Sequence, residues 1–152
     1  MKSFVIAIAF LYFVTATVAR AADPVSGTIK VVQGNCSVQR GAQSIVATEG
    51  LHLLEGAALI TGSDGHLAVI MRDGTRLSLG PGTKLKIDQF VYNPSEEKFS
   101  LLLNLGRGIL AYVSGKIASF SPEAVRVQTP VGAIGLRGTK FVVGLGIPAD
   151  SH

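Results

Sequence analysis

From Gly27 onward, short apolar runs alternate with turns that contain glycine. The chain has 18 glycines in 152 residues, and a glycine inside a helix costs about 1 kcal/mol relative to alanine. Spaced in this way, the glycines suit tight turns between strands rather than helix interiors. We therefore expect one all-β domain of about ten short antiparallel strands, folded as a β-sandwich or a flattened β-coil.

The clearest strands lie between Leu59 and Phe90. His66–Arg72 carries Leu67, Val69 and Met71 at alternate positions, and period-two alternation indicates one face in the core and one in water. Asp73-Gly74 predicts a two-residue type I′ hairpin turn, since both residue types tolerate positive φ. The segments that follow are Thr75–Leu79, the turn Gly80-Pro81-Gly82 and Thr83–Ile87, which together indicate a meander or coil with a repeat of about nine residues.

The remaining strands are less sharply marked. We expect Thr28–Val32 and Cys36–Gln39 to form a hairpin around Gly34-Asn35. Polar Asn93–Lys98 is the only candidate for a helical turn, with Pro94 in its first position, and a loop is an equal alternative for this segment. Further predicted strands are Ser100–Leu105 and Ile109–Val113 on either side of Gly106-Arg107-Gly108, then Val125–Gln128, and finally Leu136–Val143 before a frayed tail.

The amino terminus has the order of a secretory signal peptide. Lys2 precedes the apolar run Phe4–Val18, and Ala19-Arg20-Ala21 offers a small-x-small cleavage site. The competing interpretation is a transmembrane anchor, but the run is shorter than the 18–20 or so residues that a spanning helix needs. We expect residues 1–21 to be removed, leaving a β domain at 27–143 and a tail at 144–152, in the periplasm or outside a bacterial cell, without stable membrane insertion.

The charge of the mature chain gives no reason to expect nucleic-acid binding. The formal charge of the full sequence is +4, and removal of Lys2 and Arg20 lowers it to +2. Phosphate binding needs a concentrated basic patch, and the mature part has no run of Lys and Arg. Cys36 is the only cysteine, so an intramolecular disulfide is impossible and the domain must be stabilised by its core.

The sequence offers no recognisable catalytic, metal or cofactor site. His52, His66 and His152 are scattered, without metal-ligand spacing. The clusters Gly80–Lys84 and Gly135–Lys140 lack the spacing of a phosphate-binding loop and are interpreted as turns. A cell-wall glycan hydrolase remains a weaker alternative, because it would need two converging carboxylates. The candidates for that pair are Asp64, Asp73 and Asp88.

The order of motifs resembles the FecR-domain family. The resemblance extends from about Gly27 to Val143. It is carried by Gly27-x-Ile29, Leu54-x-Gly56-x-x-Leu59-x-Thr61-Gly62, Asp73-Gly74-Thr75-x-Leu77-x-Leu79, Leu105-x-x-Gly108-x-Leu110 and Val127-x-Thr129-Pro130-x-Gly132-x-x-Gly135-x-Arg137-Gly138-Thr139-x-Phe141. The resemblance implies a periplasmic signalling domain. Family members of the best-known type also carry a cytoplasmic segment that binds a sigma factor, and we expect this chain to lack that activity.

These observations favour a non-catalytic binding or signalling module that contacts an envelope protein. A structural or matrix protein of the envelope is the alternative with the same fold. For the binding mode, Val125–Gln128 is interpreted as an edge strand, because Pro130 interrupts pairing just beyond it and open edges can accept a partner strand. The predicted protein-binding residues are Arg126, Gln128, Arg137 and Lys140, the last two on a neighbouring strand.

Overall fold

The computed structural model describes residues 24–135 and 140–145, which form twelve strands and one short α-helix. The all-β prediction is confirmed. The strands are β1 Val25–Gln33, β2 Cys36–Arg40, β3 Gln43–Val46, β4 His52–Leu54, β5 Ala58–Thr61, β6 His66–Met71, β7 Arg76–Leu79, β8 Lys84–Asn93, β9 Lys98–Val113, β10 Val125–Thr129, β11 Gly132–Gly135 and β12 Lys140–Leu145; the helix is α1 Lys116–Phe120.

The strands form one curled, mostly antiparallel sheet, a half-barrel, in which β9 is shared by two wings. The first half of β9 pairs with β8 and with β10, and the second half pairs with β7 and with β12. The first wing has the order β3-β2-β5-β8-β9-β10-β11. The second wing has the order β4-β1-β6-β7-β9-β12.

Both wings contribute side chains to a single hydrophobic core. The predicted alternation holds: Leu67, Val69 and Met71 of β6 are buried, and so are Leu77 and Leu79 of β7. Cys36 is also buried, and burial raises the pKa of its thiol. Alternate residues therefore define the inner face of the half-barrel, and the residues between them define its outer face.

β9 runs without interruption through the segment predicted to separate two strands. Gly106-Arg107-Gly108 lies inside this 16-residue strand, so the prediction of two separate strands on either side of it is wrong. The strand changes wing at Gly108, which has a φ of +92°. Beside it, the Ile109 N–H donates to the Thr83 hydroxyl at 3.0 Å, which ties β9 to the start of β8. Gly108 therefore allows the strand to bend, because glycine adopts positive φ without strain, and the chain does not reverse direction there.

The predicted hairpin around Gly34-Asn35 is also wrong. β1 pairs with β4 and β6, whereas β2 pairs with β3 and β5, so the two strands belong to different wings. Gly80-Pro81-Gly82 likewise carries the chain from β7 in one wing to β8 in the other. The nine-residue spacing therefore reflects a coil that winds between the wings, and only β6 and β7 form the expected hairpin.

The β6–β7 hairpin turn differs in type from the prediction. The Met71 carbonyl accepts from the Gly74 N–H at 2.9 Å, and the Met71 N–H donates to the Thr75 carbonyl at 2.8 Å, which makes a three-residue loop. Gly74 has a φ of +88°, but Asp73 does not have positive φ, so the turn is not type I′. Asp73 is instead used for its carboxylate, which is buried beneath the loop.

Replacing Gly74 by Val should lower the free energy of unfolding by about 1–3 kcal/mol, the cost of a β-branched residue at positive φ. A Cβ at this position would meet no atom within 4 Å, so backbone strain is the cause and not a clash. Urea denaturation followed by circular dichroism measures the loss. Gly74→Asn is the control, because asparagine tolerates positive φ. Equal stability of the Val variant and the parent would contradict the prediction.

The short helical elements were predicted in part. Pro94–Glu96 forms a 3₁₀ turn with Asn93 as its cap, within the segment expected to start a helix. The sequence did not reveal α1 or the 3₁₀ turn Pro122–Ala124 that follows it. No helix among the described residues is long and apolar enough to cross a membrane.

The carboxyl-terminal boundary extends beyond the predicted one. Gly144 and Leu145 pair with Ile109 and Gly108, so they belong to β12 and not to a frayed tail. Of the predicted last strand Leu136–Val143, the first four residues lie outside the described part of the chain, as do the expected signal peptide and residues 146–152.

Candidate protein-binding surface

β10 is not the open edge that the sequence suggested. It pairs with β9 in parallel through Val125–Gln128 and with β11 in antiparallel orientation through Arg126–Thr129. Both of its edges are therefore occupied, and a partner strand cannot add there. The alternation itself is confirmed, since Val125 and Val127 are buried while Arg126 and Gln128 are exposed.

Arg126 and Gln128 lie together on the outer face of the first wing. Arg126 is opposite Leu102 of β9, which is opposite Gln89 of β8. Gln128 is opposite Asn104, which is opposite Lys86. Residues in register on neighbouring strands share a face, so two rows of mainly polar side chains cross three strands.

A shallow groove of about 290 Å³ lies on this face. Its polar side chains come from three strands and the 3₁₀ turn before β10: Gln89, Ser100, Glu123, Arg126 and Gln128. The Ser100 hydroxyl donates to Gln89 Oε1 at 3.0 Å, which orients that amide. We call these five residues the Arg126 groove.

The groove contains charges of both signs. Hydrogen bonds from its own backbone N–H and from the Ser121 hydroxyl lower the pKa of Glu123, so this carboxylate is ionised at neutral pH. Lys86, beside the groove, pairs with Asp88 at 3.7 Å. Among the described residues no carboxylate lies within 4 Å of the Arg126 guanidinium, whose N–H donors are available for a partner.

The other two predicted binding residues do not join this surface. Lys140 is exposed on β12, where it lies opposite Val113 in the second wing. Nine positions of β9 separate Val113 from Asn104, which is about 30 Å measured along the strand at 3.3 Å per residue. The expectation that Lys140 neighbours the Val125–Gln128 strand is therefore wrong. Arg137 lies outside the described residues.

Sequence reasoning missed a second, larger cleft. It has a volume of about 610 Å³ and lies between the start of β1 and the end of β8. Its charged side chains are Glu55, which follows β4, and Arg72, in the β6–β7 loop; Phe90 and Tyr92 of β8 supply aromatic surface. We call it the Arg72 cleft. Alternation within single strands gives no indication that the start of β1, the residue after β4, the β6–β7 loop and the end of β8 meet.

The carboxylates considered for hydrolysis do not form a pair. Asp64 and Asp73 lie at opposite ends of β6, and Asp88 lies on β8 beside Lys86. Asp64 is bonded to Asn35 and Asp73 to Thr75, each as part of a turn. In the described residues there is no group of three or more His, Cys, Asp or Glu that could hold a metal ion. His52 bonds the Thr28 hydroxyl, and His152 is outside the described part.

Comparison with known proteins identifies the family. A family model described as FecR protein matches residues 57–150, more than half of the 152 residues. The match begins just before β5 and includes the strands that form the Arg126 groove; the motifs from Gly27 to Gly56 precede it. No curated protein matches the chain, and no solved structure does. The chain belongs to the FecR protein family.

Proposed function

We propose that this FecR-family chain is an exported, non-catalytic binding and signalling module that contacts a protein partner in the cell envelope through the Arg126 groove. The observation that carries the proposal is the placement of Arg126 and Gln128 side by side on an exposed sheet face, with the guanidinium unpaired among the described residues. Arg is enriched at protein interfaces because its planar fork bonds carboxylates and carbonyls in a defined geometry.

Family membership supports a signalling or regulatory role for the domain. The periplasmic or secreted location rests on the order of Lys2, the apolar run and Ala19-Arg20-Ala21. Amino-terminal sequencing of the protein recovered from its native compartment should give Ala22 or Asp23 as the first residue. Recovery of the intact chain in the inner membrane would contradict export.

Site-specific photocross-linking tests the surface. A benzoylphenylalanine replaces Gln128 in one variant and Ser78, an exposed residue on the outer face of the second wing, in a matched control. In intact envelopes we expect one discrete cross-linked species from position 128, at least tenfold weaker from position 78. Adding Arg126→Glu should abolish that species, because it puts a carboxylate where the partner meets a guanidinium.

Three outcomes bear on the proposal differently. Equal cross-linking from both positions, or persistence of the species in the Arg126→Glu variant, would refute the groove as the binding site. A cross-linked species of twice the chain mass would favour the structural or matrix role, in which the partner is a second copy. Charge reversal is preferred to proline insertion because β10 is paired on both sides, and a proline there would break the sheet.

A further inference from the structure

One edge of β8 loses its partner strand halfway along. On its other edge, β8 pairs with β9 from Lys84 to Asn93. On this edge, β5 pairs only as far as Lys86, and the last backbone bonds are those of Ile87 with Gly56 and Ala57. Beyond Ile87 the edge continues into the Arg72 cleft, and none of the described strands lies beside it there.

Two side chains replace part of the missing strand. The Phe90 N–H donates to Glu55 Oε2 at 3.1 Å. The Arg72 guanidinium donates to the Tyr92 carbonyl at 3.2 Å, and its central carbon lies 5.5 Å from the centre of the Phe90 ring. One donor and one acceptor of the edge are thereby satisfied, and both charged side chains are held in place by backbone groups and an aromatic face.

The other two groups of this edge have no partner among residues 24–135 and 140–145. In a strand, the N–H and C=O of one residue point to the same edge, and alternate residues share an edge. The Phe90 carbonyl and the Tyr92 N–H therefore face the cleft, and no described group bonds either of them. A C=O and an N–H two residues apart are the pair that one residue of a parallel strand engages, with its own N–H and C=O.

We propose that the Arg72 cleft binds an extended peptide segment of a partner protein, which adds parallel to β8 with one residue in register with Val91. That residue would donate to the Phe90 carbonyl and accept from the Tyr92 N–H. Parallel addition leaves the bonds of Glu55 and Arg72 intact, whereas antiparallel addition opposite Phe90 would have to displace Glu55 from the Phe90 N–H.

Charge sets the sequence preference of the segment. Among the described residues, Arg72 has no carboxylate within 4 Å, and its guanidinium, which carries five N–H groups, donates one hydrogen bond to the Tyr92 carbonyl. A strand parallel to β8 runs from the Glu55 end of the cleft toward the Arg72 end. The segment should therefore carry an acidic side chain on the carboxyl-terminal side of the residue in register with Val91, and a donor or a cation before it.

This inference rests on the proposed protein-binding function but uses a different surface, so the two can fail separately. A random decapeptide library displayed on phage and panned against the folded protein supplies the probe. Synthetic copies of the enriched peptides should carry the acidic residue described above. Binding of such a peptide should slow exchange of the Tyr92 amide proton at least tenfold, and N-methylation of one peptide position should abolish binding.

Arg72→Gln and Arg76→Gln form the matched pair of variants, since Arg76 is exposed on β7 and does not line the cleft. Loss of a charge-assisted contact predicts that Arg72→Gln binds the peptide about tenfold more weakly than the parent. Arg76→Gln should bind it as tightly as the parent. The proposal is overturned if no enriched peptide protects the Tyr92 amide, or if Arg72→Gln binds as tightly as the parent. Neither outcome depends on cross-linking from position 128.

Discussion

Replacing Gly108 by Ala should destabilise the domain by more than about 3 kcal/mol. Two costs combine at this position. The residue has a φ of +92°, which strains any L side chain, and an added Cβ would lie 2.5 Å from the Thr83 Cα. That contact is with backbone, so β9 or the start of β8 must shift, and either shift disturbs the junction of the wings.

Gly82→Ala is the matched control for this prediction. Gly82 has a φ of +63°, but a Cβ there would meet nothing within 4 Å. Its cost should be the conformational one alone, about 1 kcal/mol. Urea denaturation of both variants separates strain from overlap. Similar losses in the two variants would mean that the contact with Thr83 is relieved cheaply and that the wing junction is not rigid.

Asp73→Ala should cost about 3–5 kcal/mol, because two buried backbone N–H groups lose their acceptor together. The Asp73 carboxylate accepts from the Thr75 N–H at 3.1 Å, from the Thr75 hydroxyl at 2.8 Å and from the Ile117 N–H at 3.1 Å. The last bond ties the first turn of α1 to the β6–β7 hairpin. Its loss should also release α1, which thermal denaturation and amide exchange at Ile117 would detect.

Asp64→Ala is the control, since Asp64 is an exposed turn aspartate whose long bonds go to Asn35. It should lose less than about 1 kcal/mol. Asp73→Asn should lie between the two, because an amide keeps one acceptor oxygen. If Asp73→Ala were as stable as Asp64→Ala, the carboxylate would contribute nothing net to the hairpin and the helix.

The inner and outer faces of single strands could be predicted from the sequence. A strand that is buried on one side has apolar and polar residues at alternate positions, as Leu77 and Leu79 alternate with Arg76 and Ser78. The same alternation predicted from the sequence that Arg126 and Gln128 lie on an exposed face. The alternation says which side of a strand faces water, but it contains nothing about which strand lies next to it.

Strand pairing was where the prediction failed. The prediction placed a hairpin turn at Gly34 and a break between two strands at Gly106-Arg107-Gly108, yet Gly34 lies at a crossing between wings and Gly108 lies inside β9. Both roles need the same positive φ, so the residue type does not separate them.

One irregularity was visible in the pattern. Ile87 and Phe90 are buried three positions apart, which breaks the period of two. The break is a β-bulge between Ile87 and Gln89, which changes the register of β8 on β9. Bulges often lie at the rims of barrels and beside functional sites. Here the bulge precedes the part of β8 that lines the Arg72 cleft.

The sharing of β9 between the wings constrains the order in which the chain can acquire structure. β7 and β8 each need β9 on one side, so a chain ending before Lys98 would leave both with an unsatisfied edge next to an incomplete core. Contacts between distant parts of a sequence form slowly, because closing a long loop costs entropy before pairing compensates it. The domain should consequently fold in one late, cooperative step. A nascent chain in which β9 has not yet been synthesised should remain extended enough to pass through a narrow channel.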